Sequence, residues 1–345
     1  MRRQILAVLL AASFALVVAT ACAQVRETGG GGQGGGGGKG ENAPVRLAVV
    51  PKAIGFDFWE TVHTGAECAA QRAQGDVNVQ WDGVTDERDV NGQVNLLQNF
   101  IQQGVDGLVY AATDAKVLSD VSQQALDQGV TVVNIDSGTD PQPKQVPVFA
   151  TDNVAAATKV PDLISDALKE KGKDGGKVAF IPFQPGTATN DQRTEGFKNG
   201  MKDHPELELV AEQSGQSDYN VSQRVTEDVL TANPDLDAIF ASNEPGVVGA
   251  AEAVAAAGKA GEIVIVGWDA SPTEIKGVRQ GTIYALVVQN PFRMGYDGVN
   301  AAVQMVRTGA DVKSTDTGAT YVTKKNIDTP KVQGVLNPSC KNPPV

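Results

Sequence analysis

Residues 90–110 read VNGQVNLLQNFIQQGVDGLVY. Val94, Leu97 and Ile101 recur at helical spacing, which predicts an amphipathic helix over Val90–Gln103. Gly104 stops it, because glycine reaches the left-handed turn that ends helices at the lowest steric cost. Gly107-Leu108-Val109-Tyr110 follows without polar alternation, so it reads as a strand buried on both faces. A helix feeding such a strand is one half of a parallel β-α-β unit.

The same rhythm continues on either side. Upstream lie a strand at Leu47–Val50, a helix at Phe58–Arg72 and a strand at Val77–Trp81. Downstream lie a helix at Val117–Gln128, its stop at Gly129, and a strand at Thr131–Ile135. The second half repeats it with strands at Val178–Ile181, Leu207–Ala211, Ala238–Phe240, Ile263–Val266 and Ala285–Val288. Ala250–Ala257 is the clearest helix between them. Alternating helices and apolar strands predict an α/β fold with parallel sheets covered on both faces. The units are too many for one small sheet, so two doubly wound parallel-sheet lobes are expected.

The chain begins differently. Arg2 and Arg3 precede an apolar run from Ile5 to Val18, and Ala19-Thr20-Ala21-Cys22 follows. A charged start, a short apolar core and small residues before a cut describe a secretory signal peptide over 1–21. A Cys directly after the small residues predicts lipidation of Cys22; ordinary cleavage after Ala21 or Ala23 is the other reading. Ten glycines lie between Gly29 and Gly40. A segment so poor in apolar groups cannot offset its ordering entropy, so 22–44 reads as a flexible tether spanning roughly 26 Å. Roughly 300 residues remain, enough for two ordinary domains. The net charge of −12 opposes nucleic acid as a partner, because phosphate backbones reward clustered Lys and Arg.

Of the three cysteines, Cys68 and Cys340 are left once Cys22 is assigned to lipid. Outside the cytoplasm two such thiols tend to pair, which predicts a bridge from the first helix to the C-terminal tail. The alternative is a buried Cys68 and a free Cys340. The spacing matches no zinc pattern.

Open α/β sheets bind ligands beyond the carboxyl ends of their strands. Those ends carry Lys52, Asp114, Asp136-Ser137, Asn243-Glu244, Trp268-Asp269 and Gln289-Asn290, and a helix start carries Asp191-Gln192. Phe56, Phe58, Trp59, Tyr219 and Trp268 stand beside them, although only 5% of the chain is aromatic. Carboxylates and amides offer paired acceptors and donors to adjacent hydroxyls, and flat rings cover the C–H faces of a sugar. Each residue also has a plainer reading: a Trp there can be core, and an Asp can be a helix cap. Enzyme signatures are missing from the sequence: it holds no Gly-x-Ser-x-Gly elbow, P-loop or His-Glu-x-x-His. His63 reads as a surface or satisfied side chain and His204 as solvated in a polar turn. Asp82, Asp86, Glu87 and Asp89 lack the alternating ligand order of a calcium loop. No metal or cofactor is expected.

From Val45 to about Asn326 the chain resembles the periplasmic sugar-binding proteins of the ribose-binding type, relatives of LacI-like repressor cores. The resemblance rests on Phe58-Trp59 before Gly65-Ala66, Gln102–Gly107, Asn134–Ser137, Ala150–Asn153, Arg193–Phe197 and Val266–Asp269. It implies a periplasmic binding protein type I fold, with two lobes joined by a three-strand hinge and closing on a ligand. It also implies docking on the permease of an ABC importer. By motif, Phe58, Trp59 and Trp268 would form an aromatic clamp with Tyr219 beside it, and Asp136, Asn243, Asp269 and Gln289 would make polar contacts. The chain departs from that branch at Ser137 and Asp191, where ribose proteins carry Arg, and at Ala111, where they carry Asn. A second branch, the autoinducer-2 receptors of the Lsr type, is similar over Pro51-Lys52, Trp81–Gly83 and Gly92–Val94. There Lys52, Asp136, Asp191 and Gln192 match ligand positions, whereas Ser242, Glu244 and Asp269 do not.

The resulting expectation is an extracytoplasmic receptor, not an enzyme, for a small sugar or polyol. A quorum-signal receptor and a chemoreceptor-coupled sensor are the alternatives. The candidate ligand set is Lys52, Phe58, Trp59, Asp136, Ser137, Asn190, Asp191, Gln192, Tyr219, Asn243, Glu244, Trp268, Asp269 and Gln289. The lobes are expected at 45–151 with 290–320 and at 152–289 with 321–328, and a tail at 329–345. A monomer held to the membrane only by lipid is expected.

Overall fold

The computed structural model describes residues 38–341 and 343. The signal peptide, Cys22 and most of the glycine tether lie outside the described residues. In chain order the elements are β1 (Val45–Val50), α1 (Asp57–Arg72), β2 (Val77–Trp81), α2 (Val90–Gln102), β3 (Gly107–Tyr110), α3 (Val117–Asp127), β4 (Thr131–Ile135) and β5 (Val148–Ala150). Next come α4 (Asn153–Thr158), α5 (Val160–Glu170), β6 (Gly176–Ile181), α6 (Ala188–Met201), β7 (Leu207–Glu212), α7 (Tyr219–Ala232), β8 (Ala238–Ala241) and α8 (Glu244–Ala256). The chain ends with β9 (Val264–Trp268), α9 (Pro272–Gln280), β10 (Ala285–Gln289), α10 (Pro291–Thr308), β11 (Thr315–Asp316), β12 (Ala319–Thr323) and α11 (Pro330–Leu336).

Two six-stranded sheets result, in the orders β11-β5-β4-β3-β1-β2 and β12-β10-β9-β8-β6-β7. Every pairing is parallel except β10 with β12. The fold is α/β with two doubly wound lobes. The central strands β3, β8, β9 and β10 are buried along their whole length, which is why they read as unbroken apolar runs. Alternate residues serve the two faces. Leu47 and Val49 join the core beneath α1 and α10, and Ala48 and Val50 join the core beneath α2 and α3.

The chain passes between the sheets three times: after β5, after β10, and between β11 and β12. β12 begins at Ala319 and pairs Ala319 with Gln289, so the expected boundary at 320/321 moves back into Asp316–Ala319. β5, three residues inside the sheet, and β11, two residues at its edge, are too short to signal strands on their own. The tail also differs from expectation: residues 330–336 form α11, whose Val332 is 3% exposed in the core of the second lobe. Pro330 in its first turn suits a helix start, where the missing N–H is no loss.

α1 and α10 cross at unusually close range. A Cβ on Gly65 would lie 2.0 Å from the Phe292 carbonyl oxygen, and one on Gly295 would lie 2.0 Å from that of Val62. Only glycine permits this reciprocal approach, which locks α10 onto the first lobe directly after the second crossing. Cys68 of α1 is disulfide-bonded to Cys340 beyond α11. Among the described residues no helix is long and apolar enough to cross a membrane.

Candidate functional site

The carboxyl ends of the two sheets face each other across a cleft. Lys52 follows β1 and is 3% exposed. Its Nζ stands 3.0 Å from Asp136 Oδ2 and donates at 3.1 Å to Thr189 Oγ1 of α6, on the opposite lobe. Asp136 follows β4 with φ 55°, a left-handed conformation that Asp tolerates better than most residues. Arg193 reaches Asp136 from the opposite lobe, Nη2 to Oδ1 at 3.9 Å. Its other donors are fixed, Nε by Asn153 Oδ1 at 2.8 Å and Nη1 by the Ser242 carbonyl at 2.7 Å. The guanidinium lies 4.4 Å from the Trp268 ring centroid and 5.2 Å from that of Phe183.

Asp269 follows β9. Its Oδ1 accepts from Gln289 Nε2 at 2.8 Å and its Oδ2 from the Glu244 N–H at 3.2 Å. Gln289 Oε1 is buried with no hydrogen-bond partner among the described residues. Asn243 caps α8 through the Gly246 N–H, and its Nδ2 donates to Ser217 Oγ at 3.1 Å. Glu244, in the first turn of α8, accepts from the Tyr219 hydroxyl at 2.7 Å and, across the cleft, from the Phe58 N–H at 3.1 Å. Glu87 accepts from Trp59 Nε1 at 3.4 Å and from Ser217 Oγ of the second lobe at 2.7 Å. Lys52, Glu87, Asp136, Arg193, Asn243, Glu244, Asp269 and Gln289, together with Phe56, Phe58, Trp59, Phe183 and Pro245, line one cavity between the lobes.

The electrostatics follow from burial. Desolvation pushes Glu244 up to about 7, against the bonds from Tyr219 and Phe58 that favour its anion. Burial also raises Asp269, and the Arg193 charge opposes that rise. Glu274, buried behind them in the Ser271 capping box, is raised well above the carboxylate range, first by desolvation and then by Asp269 and Glu244. Burial lowers the Arg193 guanidinium, while Asp269, Asp136 and Glu87 pull it back up. The cavity wall therefore mixes fixed cations with carboxylates, of which Glu244 titrates near neutrality.

The residues expected from the sequence divide into two sets. Lys52, Phe58, Trp59, Asp136, Asn243, Glu244, Asp269 and Gln289 line the cavity. The others do not line it. Asp191 and Gln192 are exposed, and Gln192 accepts from Asn153. The cause is helical rotation. Thr189 and Arg193 are four residues apart on the cleft face of α6, which carries Asp191 about 200° round the helix. Asn190 is turned inward as a support, accepting from the Phe183 N–H at 2.9 Å. Ser137 is buried beside Asp136, and its hydroxyl has no partner among the described residues. Trp268 is fully buried as the floor under Arg193. Tyr219 acts through Glu244 and packs edge-on against Phe56 at 5.8 Å.

Sequence reasoning missed Glu87, Phe183, Thr189 and Arg193, and it placed Phe56 beside the strand ends without carrying it into the candidate set. Phe183 stands two residues after β6, so the strand-end rule reaches it. The i, i+4 spacing of Thr189 and Arg193 was the signal for that pair. Glu87 sits in an irregular loop and gave none. His204 is not simply solvated: Nδ1 lies 2.8 Å from Glu206 and Nε2 2.9 Å from Asp162. His63 stacks on Trp81 at 4.4 Å.

Residues 47–311 match the periplasmic binding protein domain family. The chain is 32% identical over 266 residues to the D-ribose/D-allose-binding protein of Pseudomonas aeruginosa, covering 76% of this chain and 82% of the relative. It is 31% identical to the D-allose-binding periplasmic protein of Escherichia coli, covering 77% of this chain and 86% of that one. Among solved structures it superposes with TM-score 0.81 and 31% identity on a carbohydrate transporter solute-binding protein of Agrobacterium radiobacter in complex with D-arabinose, covering 86% and 99% of the two chains. An ABC transporter solute-binding protein of Agrobacterium vitis with bound D-fucose gives TM-score 0.78 at 32% identity, covering 84% and 99%. With its two parallel-sheet lobes and the cleft between their strand ends, the chain belongs to the periplasmic binding protein family, in the branch of ribose-binding-type sugar-binding proteins.

Proposed function

We propose that the protein is an extracytoplasmic solute-binding receptor that captures a small sugar or polyol between its lobes and hands it to the permease of an ABC importer. The observation that carries this reading is the composition of the cavity wall. Lys52, Asp136 and Glu87 come from one lobe, and Arg193, Asn243, Glu244 and Asp269 from the other. Gln289, at the end of β10, stands at the second crossing. Phe56, Phe58, Trp59 and Phe183 supply flat apolar surface between them. Paired acceptors and donors with aromatic faces suit vicinal hydroxyls on a ring.

Contacts across the cleft such as Lys52–Thr189, Glu244–Phe58, Glu87–Ser217 and Arg193–Asp136 are ones that opening would break. A ligand touching both lobes adds to that side of the balance and shifts the population towards closure. The three crossings after β5, after β10 and between β11 and β12 serve as the hinge. No bond in the ligand is made or broken in this reading. The receptor works as a monomer held by a lipid on Cys22.

The quorum-signal alternative relied on Asp191 and Gln192 as well as Lys52 and Asp136. Only the latter two line the cavity, which favours the sugar reading. A thermal-shift panel of pentoses, hexoses, polyols, cyclitols, autoinducer-2 and amino acids tests it. A ligand at 100 times its dissociation constant adds about 2.7 kcal/mol of stability. A hit among sugars or polyols that disappears in Asp269→Ala supports the proposal. A response to autoinducer-2 or an amino acid alone overturns the ligand class.

A further inference from the structure

The hinge is not the only covalent link between the lobes. α11 belongs to the second lobe: Val332, Val335 and Leu336 pack into its core, and Gln333 Nε2 donates to the Ile327 carbonyl at 2.8 Å. Cys340, four residues beyond Leu336, is bonded to Cys68 of α1 in the first lobe. Arg72 of α1 also donates to the Cys340 carbonyl at 2.9 Å. The chain from Leu336 to Cys340 is thus a strap running from one lobe to the other.

Its length sets a limit. Four residue steps span at most about 14 Å, at about 3.3–3.6 Å each. As long as α11 stays seated, the distance between Leu336 and the Cys68 end of α1 cannot exceed that reach plus the disulfide itself. The strap also borders the site. A small cavity lined by Phe58 and Thr61 of α1, Leu336 and Pro338 of the strap, and Asp269 and Gln289 shares Phe58, Asp269 and Gln289 with the ligand cavity. The strap therefore covers the side of the cleft where those three residues stand.

We infer that the segment Asn337–Cys340, pinned by the Cys68–Cys340 disulfide, is a covalent limiter of lobe opening that keeps the unliganded receptor close to its binding-competent form. The inference rests on the two-lobe closing reading given above. A receptor that is competent only part of the time binds with an affinity reduced by that fraction. A short strap removes widely open states from the ensemble and so reduces that loss. The same strap leaves small opening angles free, as ligand entry requires.

The test uses the full chain in three forms: unaltered, with C68S/C340S, and with four Gly/Ser residues inserted between Pro338 and Ser339 with both cysteines kept. X-ray scattering without ligand should give a larger radius of gyration for both altered forms. Titration with the sugar identified in the panel should then show about three- to tenfold weaker affinity and faster release in both, following the loss of competent population. The insertion separates tether length from the bond's effect on stability. If the unliganded scattering of both altered forms matches the unaltered chain, the limiter is wrong. A change in C68S/C340S without one in the insertion form also overturns it, since the bond would then act through stability alone. The scattering arm needs no ligand. A panel without any hit would thus sink the functional reading while leaving the strap to be judged separately.

Discussion

Asp136 and Asp269 occupy the same place in the two lobes. Each follows the fourth strand counted from its sheet's outer edge, β4 in β2-β1-β3-β4 and β9 in β7-β6-β8-β9. Each donates its backbone N–H to the next strand, Asp136 to the Phe149 carbonyl at 2.9 Å and Asp269 to the Val287 carbonyl at 3.0 Å. Each sits at positive φ, 55° and 80°. A left-handed non-glycine residue costs about 1–3 kcal/mol, so the fold holds mild strain at these two of the carboxylates lining the cavity. The lobes have diverged around them. Lys52 and Arg193 attend Asp136, while Gln289 and a backbone N–H attend Asp269.

The Lys52–Asp136 pair is buried, with both side chains nearly inaccessible. Removing one partner leaves a charge without its counterion in a dry site. Asp136→Ala is therefore expected to lower stability by about 3–5 kcal/mol as well as abolish sugar binding. The double variant Lys52→Met/Asp136→Leu should recover most of the stability and none of the binding. Denaturant titration of the three proteins checks this, and equal stability of the single and double variants would contradict it.

Glu244 makes the stability of the folded chain sensitive to pH. Its folded-state value of about 7 lies above the ordinary 4.5, so the folded protein holds a proton that the unfolded chain has released between those values. The sign follows. This contribution is fully present below about 4.5, falls as pH rises to about 7, and is lost above it, by up to about 3 kcal/mol. Glu244→Gln keeps an acceptor for Tyr219 and Phe58 but cannot titrate. Denaturation curves at pH 5 and pH 8 should thus converge between wild type and variant at the acid end and separate at the basic end. Parallel curves at both values would exclude Glu244 as the source.

The parallel strands of the two lobes were legible because burial on both faces leaves near-continuous apolar runs, as at Gly107–Tyr110 and Ala285–Gln289, whereas their order in each sheet was not. The hinge was less so: β5 and β11, three and two residues long, are too short to show a period and are defined by their neighbours. In the site, the strand-end rule reached Lys52, Asp136, Asp269 and Gln289, whose position follows directly from the strand before them. It failed on α6, where the side that faces the cleft depends on where the helix starts. Thr187 caps α6 through the Asn190 N–H, and that cap puts Arg193 inward and Asp191 outward. Glu87 depends on a loop folded by Arg88–Asp86 and Asp89–Gly92 contacts, which no periodicity encodes.

The crossing of α1 and α10 gives a prediction independent of any ligand. A methyl group on Gly65 would overlap the Phe292 carbonyl, and one on Gly295 that of Val62, both at 2.0 Å. Backbone atoms cannot step aside, so the helices must separate. Gly65→Ala and Gly295→Ala are each expected to cost about 1–3 kcal/mol or more, with a lower melting temperature. The double variant should cost less than the sum, because one separation relieves both overlaps. Strict additivity would mean that the two glycines do not share one contact.

Arg193 carries the most demanding geometry in the cleft, and its replacement by Lys separates charge from shape. The guanidinium bonds Asn153 and the Ser242 carbonyl with two different nitrogens while its face lies on Trp268. An ammonium keeps the charge near Asp136 but cannot reach both acceptors or stack on the indole. Hydrogen bonds from charged groups contribute about 1.5–3 kcal/mol, so Arg193→Lys should weaken sugar binding at least tenfold. Stability should fall less than in Arg193→Met, where Asp136 also loses its second cation. Calorimetric titration and melting curves of the two variants decide the point. If Arg193→Lys binds as the unaltered receptor does, then charge alone is what the cleft requires at this position, and the ring beneath it is only core.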